Sequence, residues 1–144
     1  GNVNVRSGGI AGPAFGDSAS GGELSISNCY STATKIDNSS GGIAGPAFGD
    51  SASGSSKLSI TNCYSTATNI GSSSGGIAGS RFGSSASGGE LSITNCYSTA
   101  TNISGDSGGI AGHNFGDSAS GSSTLYISNC YSTGDVSDNA GGIA

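Results

Sequence analysis

The chain repeats itself, and the period of the repeat limits what it can fold into. The segment Gly-Gly-Ile-Ala begins at Gly8, Gly41, Gly75, Gly108 and Gly141, at spacings of 33, 34, 33 and 33 residues. Asn-Cys-Tyr-Ser-Thr begins at Asn28, Asn62, Asn95 and Asn129, and Phe-Gly at Phe15, Phe48, Phe82 and Phe115, so three separate markers keep one period. Self-similarity at this length marks units that cannot close a core alone and bury it by stacking on their neighbours. Residues 1–144 therefore read as a single repeat array, with copies at about 8–40, 41–74, 75–107 and 108–140. Residues 1–7 read as the end of a preceding copy and 141–144 as the start of the next. Gly134-Asp135-Val136 aligns with Gly1-Asn2-Val3, and neither end carries an atypical capping copy. This predicts a window on a longer array, or a subunit that continues head to tail.

A finer alternation separates odd and even copies. Copies one and three read Ala-Ser-Gly-Gly-Glu-Leu, whereas two and four carry one more residue, Ala-Ser-Gly-Ser-Ser-x-Leu. The extra residue falls in a Gly/Ser stretch, where a loop absorbs it without shifting the strands around it.

Within a copy, Leu24-Ser25-Ile26-Ser27 and its equivalents at Leu58, Leu91 and Leu125 alternate apolar and small polar residues with period two, which predicts a half-buried strand. Gly9-Ile10-Ala11-Gly12 and Thr32-Ala33-Thr34-Lys35-Ile36 are weaker strand candidates, bounded by turn-forming clusters. No window shows helical apolar spacing. Ordering about 33 residues costs about 1–2 kcal/mol each, more than the few apolar side chains of one copy offset. The predicted fold is an all-β parallel β-solenoid (β-helix) of about one coil per copy. Identical residues then form ladders at the ~4.8 Å strand spacing. Five core ladders are expected. The first is Ile10, Ile43, Ile77 and Ile110, and the second is Phe15, Phe48, Phe82 and Phe115. Leu24, Leu58, Leu91 and Leu125 form the third, Ile26, Ile60, Ile93 and Ile127 the fourth, and Ile36, Ile70, Ile103 and Val136 the fifth.

Composition excludes several function classes. Four basic residues (Arg6, Lys35, Lys57, Arg81) against nine acidic ones provide no footprint for a nucleic-acid backbone or an anionic membrane. No apolar run is long enough for a membrane span, and the first six residues lack the pattern of a signal peptide. His113 is the only histidine and has no nucleophile context, so no catalytic residue, metal site or cofactor is expected and an enzyme is the least favoured class. Asp17, Asp50 and Asp117 follow Phe-Gly, but Ser84 takes that place in copy three, and calcium needs several converging oxygens.

Gly-Gly-Ile-Ala-Gly followed by Asn-Cys-Tyr-Ser-Thr, ending in Gly134-Asp135-Val136, resembles the GLUG-motif repeat through all four copies. The copies here are somewhat longer, have Ile for Leu, and carry Ala33, Ala67 and Ala100 where that repeat has Gly. The resemblance implies a secreted or surface-exposed bacterial protein whose repeats form β-rich rods, and it transfers no catalytic residue.

Four columns carry possible chemistry. Cys29, Cys63, Cys96 and Cys130 occur once per copy, so zinc is not expected. Stacking allows Cys29–Cys63 and Cys96–Cys130 bridges, but a ladder of reduced, inward-facing thiols is the preferred reading. Tyr30, Tyr64, Tyr97 and Tyr131 read as strand or core packing, with a sugar- or partner-binding row as the alternative. Asn28, Asn62, Asn95 and Asn129 read as an internal amide ladder at a left-handed turn. Thr32-Ala33-Thr34, Thr66-Ala67-Thr68 and Thr99-Ala100-Thr101 place two columns of hydroxyls on one face, as in ice-binding β-solenoids, while Thr133-Gly134-Asp135 is expected to bring a charge into that array. Asn38 and Asn102 begin formal glycosylation sequons. The leading expectation is a non-catalytic, extracellular structural segment that builds a rod, with end-to-end association or continuation in a longer chain, and with ice or glycan binding as alternatives.

Overall fold

A computed structural model describes residues 1–144. It is all-β, with no helix, so none is long and apolar enough to cross a membrane. The strands are β1 (Asn2–Val3), β2 (Glu23–Ser27), β3 (Tyr30–Ser31), β4 (Lys35–Ile36), β5 (Lys57–Thr61), β6 (Tyr64–Ser65), β7 (Asn69–Ile70), β8 (Glu90–Thr94), β9 (Tyr97–Ser98), β10 (Asn102–Ile103), β11 (Thr124–Ser128), β12 (Tyr131–Ser132) and β13 (Asp135–Val136). They form three parallel sheets, ordered β1-β4-β7-β10-β13, β11-β8-β5-β2 and β12-β9-β6-β3. Each sheet takes one strand from each coil, which is a parallel β-solenoid of about four turns with one turn per copy.

The register sets like on like. Leu24 pairs with Leu58 and Leu58 with Leu91, and Ile26, Ile60 and Ile93 follow in the same way. Period-two alternation therefore turns the same two positions of every coil inward. The column beside them, Glu23–Lys57–Glu90, alternates in charge directly across the strands, an arrangement that supports this register over a one-coil slip.

The repeat spacings conceal compensating changes. The extra residue of copies two and four is absorbed ahead of the long strand, in turns where Gly54 and Gly121 take positive φ, and pairing resumes at Glu23↔Lys57 and Glu90↔Thr124. Copy four returns to 33 residues because it loses one further on: Asp135 pairs with Asn102, so Gly134 alone spans the place of Ala100 and Thr101.

The two weaker strand candidates resolve differently from a strand. Gly-Gly-Ile-Ala is a corner held by isolated bridges, Gly8↔Gly41 and Ala11↔Ala44 and their successors, with the isoleucine turned inward. Ile43, Ile77 and Ile110 sit in these corners rather than on strands, because two glycines and an alanine around each leave only isolated bridges between coils. The glycines are required there by close approach, since a Cβ on Gly41 would overlap the carbonyl of Ala44, and one on Gly42 the carbonyl of Gly76 in the next coil. Of Thr32–Ile36 only Lys35–Ile36 is a strand, β4; Thr32 and Ala33 follow β3 as irregular chain and Thr34 bends it.

The interior is two clusters of different size. The larger gathers Ile43, Phe48, Leu58, Ile60, Cys63 and their counterparts in neighbouring coils; the smaller is Val3, Ile36, Ala67, Ile70, Ala100 and Ile103. The expected ladders are inside in coils two and three, where all their members are buried, Ile77 and Phe82 among them. Ile110 belongs to coil four and is still fully buried, because its N–H reaches the Ile143 carbonyl at 2.9 Å and the first residues of the next copy cover it. Coil one keeps Ile26 and Ile36 buried, Ile36 because Val3 pairs beside it, while the other ladders open at the ends. Ile10 is 50% exposed and Val136 46%, and Leu24 is also exposed, because each has a neighbouring coil on one side only. Phe15, Phe115, Leu125 and Ile127 are half-buried for the same reason.

Candidate functional site

No group of three or more His, Cys, Asp or Glu side chains converges at metal-binding distance. His113 is exposed beside the open C-terminal end of the stack. The aspartates after Phe-Gly do structural work: Asp50 pairs with Arg81 at 3.0 Å and accepts the Ser85 N–H at 3.1 Å, while Ser84, their counterpart, donates to the Asp117 carbonyl at 3.1 Å. What the fold offers is a set of columns, one side chain per coil, and their orientation decides what each can do.

The tyrosine column packs along the outer face of its strands and not in the core. Tyr30–Tyr64, Tyr64–Tyr97 and Tyr97–Tyr131 stack at ring centroid distances of 5.2, 5.0 and 5.1 Å with interplanar angles of 9°, 4° and 3°. Tyrosine takes the outward position of β3, β6, β9 and β12, and the serine after it points in. Rings this close and this parallel cover one another's faces, so a sugar can stack only on the outer faces of Tyr30 and Tyr131, which are 57% and 53% exposed. The phenylalanine column repeats the same stacking inside, at 5.1–5.7 Å.

The threonines Thr32, Thr34, Thr66, Thr68, Thr99 and Thr101 are all exposed, whereas Ala67 and Ala100 are buried. The hydroxyl columns exist, but on a bent segment rather than a flat strand. Asp135 does not interrupt them; it lies in the column of Lys35, Asn69 and Asn102. A second hydroxyl face runs along the long strands, where Thr61 and Thr94 meet at 3.2 Å, and Tyr126 crosses it to donate to Glu90 at 2.6 Å. That hydrogen bond to a carboxylate holds the Tyr126 phenol above its ordinary pKa.

The asparagines before cysteine adopt the left-handed conformation, at φ 51–54°, as their residue type permits. Their amides are exposed rather than internal, and Asn62 donates to Asn28 at 3.4 Å. Asn38 and Asn102 are exposed too. Asn38 accepts the Ser72 N–H at 3.1 Å, Asn102 donates to Asn69 at 2.9 Å, and Ser40, the sequon serine, is fully buried.

The cysteines are all free thiols; Cys63 and Cys96 are buried, Cys29 and Cys130 half-buried. The left-handed residue before each one turns the thiol into the corner. Cys63 donates to the Thr61 carbonyl at 3.2 Å and lies 3.8 Å from that of Ile26 in the preceding coil, while Cys96 Sγ accepts the Cys63 N–H at 3.4 Å. Cys96 and Cys130 repeat these contacts. The two adjacent thiols act on each other, which holds Cys63 below the ordinary thiol range and Cys96 above it; burial raises Cys130.

A column that the repeat markers do not announce does the same work with oxygen. Ser40, Ser74 and Ser107 are buried, each following a left-handed residue, Ser39, Ser73 or Asp106. Ser74 donates to Asp37 O at 2.7 Å and Ser72 O at 3.1 Å, and accepts the Ser40 N–H at 3.0 Å. The only signal for it in the sequence is a serine at one fixed phase, hidden among many serines.

In comparisons with known proteins, no family model, no curated protein and no solved structure matches the chain.

Proposed function

We propose that this chain is a non-catalytic structural segment of an extracellular bacterial surface protein or fibre, in which stacked coils build a rod that carries distance and surface. The observation that supports it is the pairing itself: every strand pairing is parallel and sets equivalent positions of successive copies side by side through all the coils. Each coil therefore presents the next with the same edge that it received. The end coils leave strand edges unpaired and Ile10, Leu24 and Val136 exposed, surfaces that a further coil of the same phase covers, either in a longer chain or in a second copy. The resemblance to the GLUG repeat supports the bacterial surface location.

Two experiments test this. Intact source cells labelled with antibody to the chain should stain without permeabilisation; staining only after lysis removes the surface role. Light scattering and electron microscopy of the purified chain and of the native material should reveal rods of constant width and growing length. A monodisperse monomer with no longer assembly in the native source counts against the fibre.

A second reading, ice binding, is favoured by the outward threonine columns over buried alanines. It predicts thermal hysteresis that Thr66→Tyr abolishes; no hysteresis in the parent chain removes it. Glycan adhesion, if present, is confined by the tyrosine geometry to the open faces of Tyr30 and Tyr131, and a glycan array checks it.

A further inference from the structure

The four thiols stand one per coil at one corner, and the middle two lie inside the larger apolar cluster. We propose that the Cys63–Cys96 step of this column binds a soft, two-coordinate d10 cation of the copper(I)/silver(I) class, held in line between the two sulfurs. The proposal stands apart from the rod's location and assembly.

Coil spacing is the first reason. Equivalent atoms of an in-register parallel stack are separated by about 4.8 Å, and the tyrosines next to the cysteines repeat at 5.0–5.2 Å. Metal–thiolate bonds are about 2.3 Å for zinc, and two of similar length in line span about 4.6 Å, which matches the coil spacing. A disulfide draws the Cβ atoms to about 3.8 Å, which requires the two coils to close locally. The donor set is the second reason. Three or more donors nowhere converge, so the four ligands of zinc or the six of calcium cannot be assembled, whereas a column provides two donors in line. Thiolate sulfur selects soft ions such as copper(I).

The surroundings suit the bound form. Cys63 and Cys96 are buried in the larger apolar cluster, which excludes water from the S–metal bonds. On binding, both S–H bonds break, two S–metal bonds form, both protons leave to solvent, and no electron is transferred. One negative charge remains on the dithiolate complex. The Cys63 N–H at Cys96 Sγ faces that charge as a donor already in place. The carbonyls that lose the thiol protons, Thr61 O and Thr94 O, keep amide partners from the adjacent coil, Asn28 N–H and Asn62 N–H, each at 3.1 Å. Half-buried Cys29 and Cys130 provide the way in from either end.

The test is silver(I) titration of the reduced Cys29→Ser/Cys130→Ser chain, which retains only the central pair, read by metal content after gel filtration and by X-ray absorption at the silver edge. The expected result is one silver per chain with two sulfur neighbours, at the same mass as the metal-free protein, and loss of that silver when Cys63→Ser is added. Two silvers per chain with one sulfur each, a doubled mass from silver shared between chains, or equal retention without any thiol overturns the proposal. If the double variant does not fold, the parent chain and its single variants decide: one silver with two sulfurs, kept in Cys29→Ser and lost in Cys63→Ser, supports the site, whereas two silvers with two sulfurs each, which places them on the outer steps of the column, or four with one sulfur each overturns it.

Discussion

Ser74 and Ser65 sit in the same coil, are the same residue type and have no exposed surface, yet they stand in opposite chemical situations. Ser74 Oγ has a donor and two acceptors around it, two of the three in the preceding coil. Ser65 Oγ has no hydrogen-bond partner, and neither has Ser132 Oγ; Ser31 and Ser98 in that column accept only long bonds of 3.4 and 3.5 Å from Ala33 and Ala100. The Ser74 column is a set of rungs that tie coil to coil. The Ser65 column fills space: each member occupies the hole in front of Gly9, Gly42, Gly76 or Gly109, where a glycine Cβ would collide with it. Burial alone does not tell a rung from a filler.

Removing the Ser74 rung is expected to have the largest effect. Ser74→Ala strands the Ser40 N–H and the Asp37 carbonyl inside the stack, and each orphaned buried group costs about 1–3 kcal/mol, so the loss should be about 2–4 kcal/mol. Denaturant titration followed by circular dichroism measures it, and hydrogen exchange should show the Ser40 amide opening first. A loss under about 0.5 kcal/mol, within the range of a neutral surface change, would mean that the rungs are dispensable.

The thiol rungs extend the comparison to a second element, and exchanging sulfur with oxygen should be asymmetric. Ser74→Cys places a larger atom where the oxygen makes a 2.7 Å bond to Asp37, an overpacking worth about 1–3 kcal/mol. Cys63→Ser places a smaller atom that keeps Thr61 O within reach but not Ile26 O at 3.8 Å, and should cost about 1 kcal/mol. If the two exchanges cost the same, the corners are not equivalent devices of different size.

Backbone conformation at the same corners gives a smaller contrast. Ser73 and Asn62 both hold positive φ, 57° and 54°, but only Asn is a residue type that visits this region readily. Ser73→Gly should stabilise the chain by about 0.5–1 kcal/mol through relief of the left-handed strain. Asn62→Gly should leave stability within a few tenths, since glycine keeps the conformation and only a 3.4 Å amide contact is lost. Equal shifts in thermal midpoint for the two variants would contradict this.

These columns also mark the limit of what the sequence conveys. The solenoid, the one-coil period and the large apolar ladders are legible because Ile, Phe and Leu are scarce and recur in phase, so their alignment has one solution. Cysteine is scarce as well, and its inward position follows from that phase. Serine is abundant, and nothing in its spacing separates Ser74 from Ser65; the separation comes from which carbonyls the turn geometry brings within 3 Å. The tyrosine phase leaves core and strand packing both open, and strand alternation, with the buried Ser65 next to Tyr64, settles it outside. The deletion in copy four is hidden by an insertion in the same copy, which leaves the marker spacing at 33 and makes Asp135 look like a neighbour of the threonines.

A substitution expected to leave stability level or slightly raised most sharpens the contrast between the two serines. Ser65→Ala removes a hydroxyl that was dehydrated on folding and found no partner, a state that costs about 1–3 kcal/mol. It also opens a small void in front of Gly42, whose lining loses the packing that the oxygen provided. The two terms oppose each other and are similar in size, so stability should stay level or rise by up to about 1 kcal/mol. The same substitution at Ser74, in the same coil, goes the other way by severalfold. A loss at Ser65 comparable to that at Ser74 would mean that its hydroxyl finds a partner, such as the Gly76 carbonyl toward which the missing Gly42 Cβ also points.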